Sequence, residues 1–370
     1  MLLQHHYALK ANNSSQILSI LKDRGFGIDA VSGNEVRWAL DHGFKPSEIV
    51  FSGVGKTDAE LKLAIDKKIA FLNIESEFEY ENALALAQKQ NSKLRVALRI
   101  NPNVNAKSHP YISTGLKSHK FGLDLSIAKR LIAKIATQDF IALEGLSIHI
   151  GSQMLDLAPL EEALRKSLDF YESLPAKHKK HIHNFDVGGG LGIHYSKPAL
   201  LPDFPSYAKL LRKFAQSWRQ SCINKNPSLA CENGRSIVAQ SGLLVSQVIG
   251  IKKTPHKIFA VVDASMSELM RPSLYQARHE IMCFKKSTQI APYSVVGPVC
   301  ESSDSFGDAF YLPKVLKKGD YLGIDSSGAY GSAMSHFYNL RELPAEFWIF
   351  KNSKVAQKRS RVSFAQLYQI

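Results

Sequence analysis

The chain has 370 residues, more than one compact core usually holds, so we expect two domains. Its composition, 45% hydrophobic and 22% charged, is that of a globular protein. The 47 Lys and Arg residues exceed the 33 Asp and Glu residues and give a net charge of +14, but the basic residues are scattered. A solvated face or a pocket for anionic ligands explains that charge at least as well as nucleic acid, so we expect no nucleic-acid partner.

The first part of the chain, to about residue 240, alternates strands with helices. Strand-length apolar runs lie at Phe26–Val31, Ile49–Phe51, Ala70–Ile74, Leu94–Ile100, Leu143–Ile150, Phe185–Val187 and Leu229–Cys231. Helix-period segments lie between most of them, at Asn34–His42, Asp58–Asp66, Ser76–Gln90, Ser126–Thr137, Leu157–Leu174 and Ser206–Ser221. With the strand that carries Lys10 this makes eight strands. The count predicts a TIM-type (β/α)8 barrel over residues 1–241, although an open doubly wound sheet would also alternate.

The second part of the chain has a different sequence pattern, in which short β-rich runs are separated by Gly, Pro and Asp turns. These runs lie at Leu243–Ile251, Lys257–Val262, Ser294–Val299, Tyr321–Ile324 and Glu346–Phe350. They predict a mostly β domain, resembling a barrel or sandwich, over residues 242–370. The segment Ser363–Tyr368 predicts a short helix near the C-terminus.

The cysteines and the apolar runs indicate the cellular compartment in which the protein works. The four cysteines have no paired short spacing, so neither a disulfide framework nor a zinc site is indicated, and we expect no metal. No apolar run reaches the roughly 18–20 residues needed to span a bilayer, and no secretory signal is visible. We therefore expect a soluble cytoplasmic protein with no membrane contact.

Lys10 and His149 each lie at the end of a predicted barrel strand. A lysine delivered to the C-terminal mouth of a barrel and desolvated there can act as an amine nucleophile toward a carbonyl. The alternative is an ordinary strand-end lysine that reaches solvent. His149, in the run His149–Gln153, could titrate, bind a metal, lie flat on a planar ligand or be purely structural; no second ligand supports the metal.

Two further motifs follow the last barrel strands. The consecutive glycines Gly188, Gly189 and Gly190 would let backbone N–H groups approach a phosphate; the alternative is a tight turn, which rarely needs three glycines in a row. Their spacing fits neither a Rossmann fingerprint nor a P-loop. A carboxylate at Glu232 suggests a heteroaromatic cofactor whose ring nitrogen needs an anion, and Arg235 could bind a carboxylate or phosphate; a surface ion pair would explain both equally simply.

The β domain carries two more segments of interest. Cys300 and Glu301 place a thiol beside a carboxylate after a predicted strand. A small-residue loop at 328–331 carries Tyr330, and a second tyrosine-bearing run follows at 334–339. Alone, each segment indicates only a turn.

Taken in register, these motifs resemble one family. The runs at 7–12, 149–153, 186–192, 232–235, 297–302 and 328–331, with 109–115 and 270–275, are similar in identity and order to diaminopimelate decarboxylases. That family belongs to the alanine racemase/ornithine decarboxylase fold of pyridoxal phosphate enzymes, and the resemblance runs from residue 7 to about 346. It implies decarboxylation of meso-diaminopimelate to L-lysine, the last step of lysine biosynthesis.

The resemblance also implies roles for individual residues. Lys10 would bind the cofactor's aldehyde through its amine, His149 would stack on the ring, and Glu232 would pair with the ring nitrogen. The residues implied around the phosphate are Ser152, Gly188, Gly189, Gly190 and Tyr330, with Gly234 close by. The residues implied at the distal end of the amino-acid substrate are Arg235, Arg271, Tyr275, Glu301 and Tyr330. Cys300 and Glu301 would reach the active site from the second subunit of a homodimer, and Cys300 or Lys10 would protonate the product.

Three departures from the family pattern leave alternatives open. Family members begin roughly forty residues earlier, so we expect the N-terminal part of the barrel domain to be truncated. Asn233 replaces the usual proline, and Arg341–Pro344 differs from the family's Arg-Pro-rich run. The alternatives are a catalytically silent homologue that binds cofactor or a family subunit, and a decarboxylase of another basic amino acid or polyamine precursor.

Overall fold

A computed structural model describes residues 3–106, 114–115, 119–197 and 199–369 of the chain. The chain divides into two compact units. The first comprises Met1–Ile193 and Leu201–Ile237, and the second comprises His194–Leu200 and Val238–Ile370.

The first unit is a closed barrel of eight parallel strands surrounded by helices. Its strands are β1 (Leu3–Ala8), β2 (Gly27–Ala30), β3 (Ile49–Phe51), β4 (Phe71–Ile74), β5 (Leu94–Asn101), β7 (Ile141–Ser147), β8 (Asn184–Asp186) and β9 (Ser228–Asn233), and a two-residue strand, β6 (Leu123–Asp124), pairs with β5 outside the ring. Its helices are α1 (Ser15–Asp23), α2 (Gly33–Asp41), α3 (Asp58–Lys67), α4 (Glu77–Lys89), α5 (Leu125–Ile135), α6 (Ala158–Glu172), α7 (Ala176–Lys179), α8 (Phe204–Ser221) and α9 (Arg235–Val238).

Closure of the barrel follows from two pairings of the first strand and one between β4 and β5. Tyr7 of β1 lies opposite Ile28 of β2 on one side and Asn233 of β9 on the other. The pairing of β4 with β5 completes the ring. The predicted (β/α)8 barrel is therefore confirmed, and the carboxyl ends of all eight strands meet at one mouth.

Local sequence explains where the barrel helices begin. Ser32 and Ser76 accept the N–H of the residue three positions on, and Thr57 and Glu60 form a reciprocal capping box at the start of α3. Large apolar side chains then fill the space between helices and strands. The Trp218 ring of α8 is fully buried and meets the edge of Tyr171, with ring centroids 4.7 Å apart.

The second unit is mostly β. Its strands are β10 (Leu244–Lys253), β11 (Ile258–Val262), β12 (Ile281–Cys283), β13 (Ile290–Val296), β14 (Ser305–Pro313), β15 (Tyr321–Ile324), β16 (Glu346–Ile349) and β17 (Val355–Arg359), with short helices α10 (Arg271–Tyr275) and α11 (Phe364–Tyr368). Six strands form one sheet in the order β12-β15-β10-β11-β13-β14, and β16 and β17 form a separate hairpin. The core of the sheet includes Val248, Val262, Tyr293, Phe306 and Leu322.

Some predicted boundaries were wrong. The first strand ends at Ala8, and Lys10 lies in a single 3-10 turn, Leu9–Ala11, that follows it. The strand predicted at Leu143–Ile150 ends at Ser147, so His149 lies two residues beyond it. The strand predicted at Ser294–Val299 ends at Val296, because a buried side chain, Asp304, holds the following residues in a loop by accepting the N–H of Val299 at 2.8 Å.

Candidate active site

Lys10 lies at the C-terminal mouth of the barrel, where its Nζ contacts Asp29 Oδ2 at 2.8 Å. Asp29 lies in β2 and is almost fully buried, whereas about a third of the Lys10 side chain is exposed (37%). The other carboxylate oxygen of Asp29 has no hydrogen-bond partner within the described residues. The aspartate therefore orients an amine that small molecules can still reach.

His149 is half-buried in the loop after β7. Its Nδ1 accepts the N–H of Gly189 at 3.2 Å, so the proton of the neutral ring lies on Nε2. Burial, together with the positive charges of Arg99 and Lys10, lowers the pKa of His149 well below its ordinary value. The ring is therefore neutral, as a ring that stacks on a planar ligand needs to be.

The glycine run after β8 is packed against neighbouring backbone. A Cβ on Gly189 would overlap the carbonyl oxygen of Glu232, and one on Gly190 would overlap that of Gly151. The N–H of Gly188 donates to Asp186 Oδ1 at 2.8 Å and that of Gly189 to His149. Gly188 and Gly189 thus let neighbouring backbone segments approach closely at this mouth. Their N–H groups already donate hydrogen bonds within the protein.

Glu232 and Asp186 form a buried carboxyl pair on adjacent strands, β9 and β8. The two side chains share a hydrogen bond, and Glu232 Oε1 has no partner within the described residues. Burial raises the pKa of Asp186 to about 7. Burial and the charges of Asp186 and Asp29 raise the pKa of Glu232 well above its ordinary value. This pair can hold a proton and accept a hydrogen bond from a cationic ring N–H.

Arg235 begins α9 immediately after β9 and is buried. Its Nη2 donates to Ser152 Oγ at 2.9 Å, which joins the loop after β7 to the segment after β9. Gly234 lies against Ala8 and Ala11, where an added Cβ would press on both side chains. The predicted residues Lys10, His149, Ser152, the three glycines, Glu232, Gly234 and Arg235 therefore all lie beyond the carboxyl ends of the barrel strands.

A second set of charged residues at this mouth was missed from the sequence. Arg99 Nη1 donates to both carboxylate oxygens of Glu75 at 2.9 Å, and its Nη2 lies 3.4 Å from the carbonyl oxygen of His149. The signal was available, because Arg99 is a charged residue within the apolar run Leu94–Ile100 of a buried barrel strand. Such a residue rarely occurs unpaired in a core.

The remaining predicted residues lie in the second unit. Arg271 and Tyr275 are the first and last residues of α10, and Arg271 is buried against the Tyr195 ring, with its guanidinium carbon 3.9 Å from the ring centroid. Cys300 and Glu301 are exposed in the loop between β13 and β14. Tyr330 has a left-handed backbone (φ +57°) in the loop after β15. Of the run 109–115, residues 109–113 lie outside the described residues.

Comparison with known proteins decides the family. The family model described as "Pyridoxal-dependent decarboxylase, pyridoxal binding domain" matches residues 2–239. Diaminopimelate decarboxylase of Helicobacter pylori is 42% identical over 366 residues, which cover 98% of this chain and 88% of that protein. The Vibrio cholerae enzyme of the same name is 41% identical over 98% of this chain and 85% of its own length. The chain belongs to the diaminopimelate decarboxylase family.

A solved structure gives the same result. The crystal structure of diaminopimelate decarboxylase from H. pylori complexed with L-lysine aligns with a TM-score of 0.90 at 41% identity, covering 99% of this chain and 89% of that one. In the described part of this family member, no helix is both long and apolar enough to cross a membrane.

The residues at the barrel mouth fit pyridoxal phosphate, the cofactor of pyridoxal-dependent decarboxylases. An accessible amine at Lys10 can bind an aldehyde, and the partnerless Glu232 Oε1 can accept the ring N–H. The neutral ring of His149 can lie against a pyridine face. The glycine run lets neighbouring backbone segments pack closely at this mouth. An amine, a hydrogen-bond acceptor and a flat ring are three elements that this cofactor needs.

Proposed function

We propose that this chain decarboxylates meso-diaminopimelate to L-lysine and CO2 with pyridoxal phosphate as cofactor. The observation that carries the proposal is the buried Glu232 Oε1 without a partner, at the same barrel mouth as the accessible amine of Lys10. Such a pair suits a cofactor that combines an aldehyde with a basic ring nitrogen. The near-full-length identity to enzymes named diaminopimelate decarboxylase supports the choice of substrate.

The proposed cofactor contacts follow the sequence resemblance. Lys10 would hold the cofactor's aldehyde carbon, His149 would cover one face of the ring, and Glu232 would bind the ring nitrogen. The residues that would surround the phosphate are Ser152, Gly188, Gly189, Gly190, Gly234 and Tyr330. Gly188 and Gly189 already donate their N–H groups to Asp186 and His149, so these two glycines would approach the phosphate without donating to it.

Bound pyridoxal phosphate supplies an electron sink for the charge left when CO2 departs. The chain supplies the protons and the orientation. Glu232 keeps the ring nitrogen protonated, and Asp29 orients the amine of Lys10 at 2.8 Å. Either that amine or the Cys300 thiol then protonates the substrate carbon.

The proposed residues for substrate recognition follow the sequence resemblance. Arg235, Arg271, Tyr275, Tyr330 and Glu301 bind the distal ammonium and carboxylate of the substrate. A substrate without that end would leave these charges unmatched, which is a strong source of discrimination. We further propose that Cys300 and Glu301 act in the site of a second copy, so that the enzyme is a homodimer, and that it works in the cytoplasm, where its free thiols stay reduced.

The first test combines an absorbance spectrum with product analysis. Wild-type protein loaded with pyridoxal phosphate is expected to show the band of a lysine-bound cofactor and to release L-lysine and CO2 from meso-diaminopimelate. Lys10→Ala is expected to lose the band. A band without lysine release, tested against ornithine and arginine as well, would instead indicate another substrate or a silent homologue.

A complementation experiment tests the shared site. Lys10→Ala is expected to be inactive alone, and Cys300→Ala is expected to keep only a small, measurable fraction of the wild-type activity. Mixing them under conditions that exchange subunits creates dimers in which one site has both residues intact, so a fraction of the wild-type activity should return. If no activity returns while mixed dimers are detected, Cys300 acts in its own subunit.

A further inference from the structure

The loop that carries Cys300 is anchored at its base by one buried carboxylate. Asp304 Oδ2 accepts the N–H of Val299 at 2.8 Å, and Oδ1 accepts that of Met266 at 2.6 Å. The N–H of Gly297 donates to the Asp304 carbonyl oxygen at 3.1 Å. These bonds fix both ends of the loop 297–304, but none of them reaches Cys300, which is exposed at its tip.

A second anchor reaches the tip from a distant part of the same unit. Asn339 Oδ1 accepts the N–H of Cys300 at 2.9 Å, across 39 positions of sequence. The bond holds the backbone of Cys300 while leaving its thiol exposed. It is therefore suited to fixing where the thiol points.

The backbone around Asn339 is unusual. Asn339 has φ +54° and ψ +25°, and the next residue, Leu340, has φ +56°. Asparagine tolerates this left-handed region, but a leucine is strained there, so the surrounding structure must impose the conformation. Such strain is concentrated at functional sites, and here it presents the Asn339 amide to the Cys300 loop.

We propose that Asn339 is a positioning residue that fixes the Cys300 thiol for its part in the reaction. The inference rests on the proposed role of Cys300 and goes beyond it by naming the group that holds the thiol in place. In this role Asn339 touches neither substrate nor cofactor. It acts through the backbone of Cys300, and small displacements of a reacting group lower rates steeply.

Three substitutions separate the hydrogen bond from the backbone conformation. Asn339→Gly keeps the left-handed backbone without strain but removes the acceptor. Asn339→Asp keeps both a tolerated conformation and an oxygen acceptor at the same reach. Ser353→Gly is the matched control, because Ser353 is also left-handed (φ +60°) but lies in the exposed turn between β16 and β17.

The holoenzyme variants are compared by kcat and KM for meso-diaminopimelate and by hydrogen exchange of peptide 297–304. We expect Asn339→Gly to lower kcat by about tenfold and to speed exchange of the Cys300 amide. Asn339→Asp should restore most of the kcat, and Ser353→Gly should leave both readouts unchanged. In a Cys300→Ala background, Asn339→Gly should lower kcat no further, because both changes act on one step.

Two outcomes would overturn the proposed role of Asn339, and a third would overturn the proposed role of Cys300 on which it rests. Wild-type kcat in Asn339→Gly, or a further tenfold loss in the Cys300→Ala background, would show that Asn339 does not act through Cys300. Full activity of Cys300→Ala itself would instead refute the proposed role of the thiol. The spectrum of bound pyridoxal phosphate, expected to be unchanged in all variants, excludes loss of the cofactor as the cause.

Discussion

At the scale of single residues, the most informative feature is a pair of carboxyl groups that share a buried site. The pKa of Asp186 is about 7, against an ordinary value of 3.8, because burial disfavours its charged form. The protonated form therefore stabilises the fold fully below about pH 4, and this contribution is lost as the pH rises to about 7. The cofactor-free protein should accordingly be less stable at pH 7.5 than at pH 5.

Asp186→Asn tests this dependence. The amide stays neutral and its carbonyl oxygen can still accept the N–H of Gly188, so the loss of stability between pH 5 and 7.5 should shrink. The measurement is the urea midpoint of the cofactor-free protein at both pH values. Asp66→Asn is the control, because Asp66 is exposed and its pKa is lowered by Lys62, outside this window. An unchanged pH difference in Asp186→Asn would contradict the argument.

The carboxyl group of Glu232 can be replaced by a neutral amide of the same shape. Glu232→Gln keeps the shape of the side chain but removes the anion that holds a proton on the ring nitrogen of bound pyridoxal phosphate. We expect kcat to fall by about a hundredfold, since the protonated ring is what accepts the developing charge. Steady-state kinetics at saturating cofactor measure this. A kcat within threefold of wild type would show that the ring nitrogen does not depend on Glu232.

The sequence predicts some site residues far better than others. Lys10, His149 and Glu232 sit in short motifs at strand ends, where function is concentrated, so the sequence alone identifies them as candidates. Asp29 and Arg99 are not identified in this way. A charged residue within an apolar run signals a buried charge, but it does not show whether that charge serves the site or the fold. Their roles depend on partners 19 and 24 positions away, Lys10 and Glu75.

At the scale of elements, a buried ion pair between Lys56 and Glu79 links the loop after β3 to α4. Lys56 Nζ forms a short contact with Glu79 and donates to the carbonyl oxygens of Gly53 at 2.6 Å and Asn73 at 2.9 Å. Both side chains of the pair are 1% exposed. Glu79 also accepts the N–H of Glu75, which in turn holds Arg99. The pair therefore supports the polar network behind the barrel mouth.

Lys56→Met should be strongly destabilising because it leaves the Glu79 carboxylate buried without its cation. We expect a loss of about 3–5 kcal/mol in the free energy of unfolding, measured by urea denaturation. Burial already raises the pKa of Glu79, so the unpaired acid can take up a proton, and the loss should be smaller at pH 5 than at pH 8. Lys62→Met is the matched control, since the Lys62–Asp66 pair is exposed to solvent and contributes little to stability.

The predicted elements were accurate where periodicity and caps agree. Helix α3 was predicted from Asp58 by its helical period, and the structure starts the helix there, where Thr57 and Glu60 form a capping box. Strand β14 was missed. Its sequence contains Gly307 and Asp308, both poor strand formers, and the register shifts in its pairing with β13 break the alternation on which strand prediction depends.

At the scale of the whole molecule, the four cysteines differ in how deeply each is buried in its unit. Cys222 and Cys231 are buried in the first unit, Cys283 is half-buried, and Cys300 is exposed in the second. Burial and the neighbouring carboxylates Asp186 and Glu232 raise the pKa of Cys231 to about 12, so little of it exists as the reactive thiolate near neutral pH. Reactivity should therefore differ widely among four thiols of one chain.

Iodoacetamide treatment of the native holoenzyme is expected to modify Cys300 at least tenfold faster than Cys222 or Cys231, as followed by mass spectrometry of digested samples. If Cys300 serves the reaction as proposed, activity should decline in step with its modification and not with that of Cys283. In denaturant the four rates should converge, because the differences arise from the fold and not from the thiols. Cys231 labelling as fast as Cys300 in the native enzyme would mean that the barrel mouth opens readily in solution, and the burial on which the altered pKa values of Asp186 and Glu232 depend would then be transient.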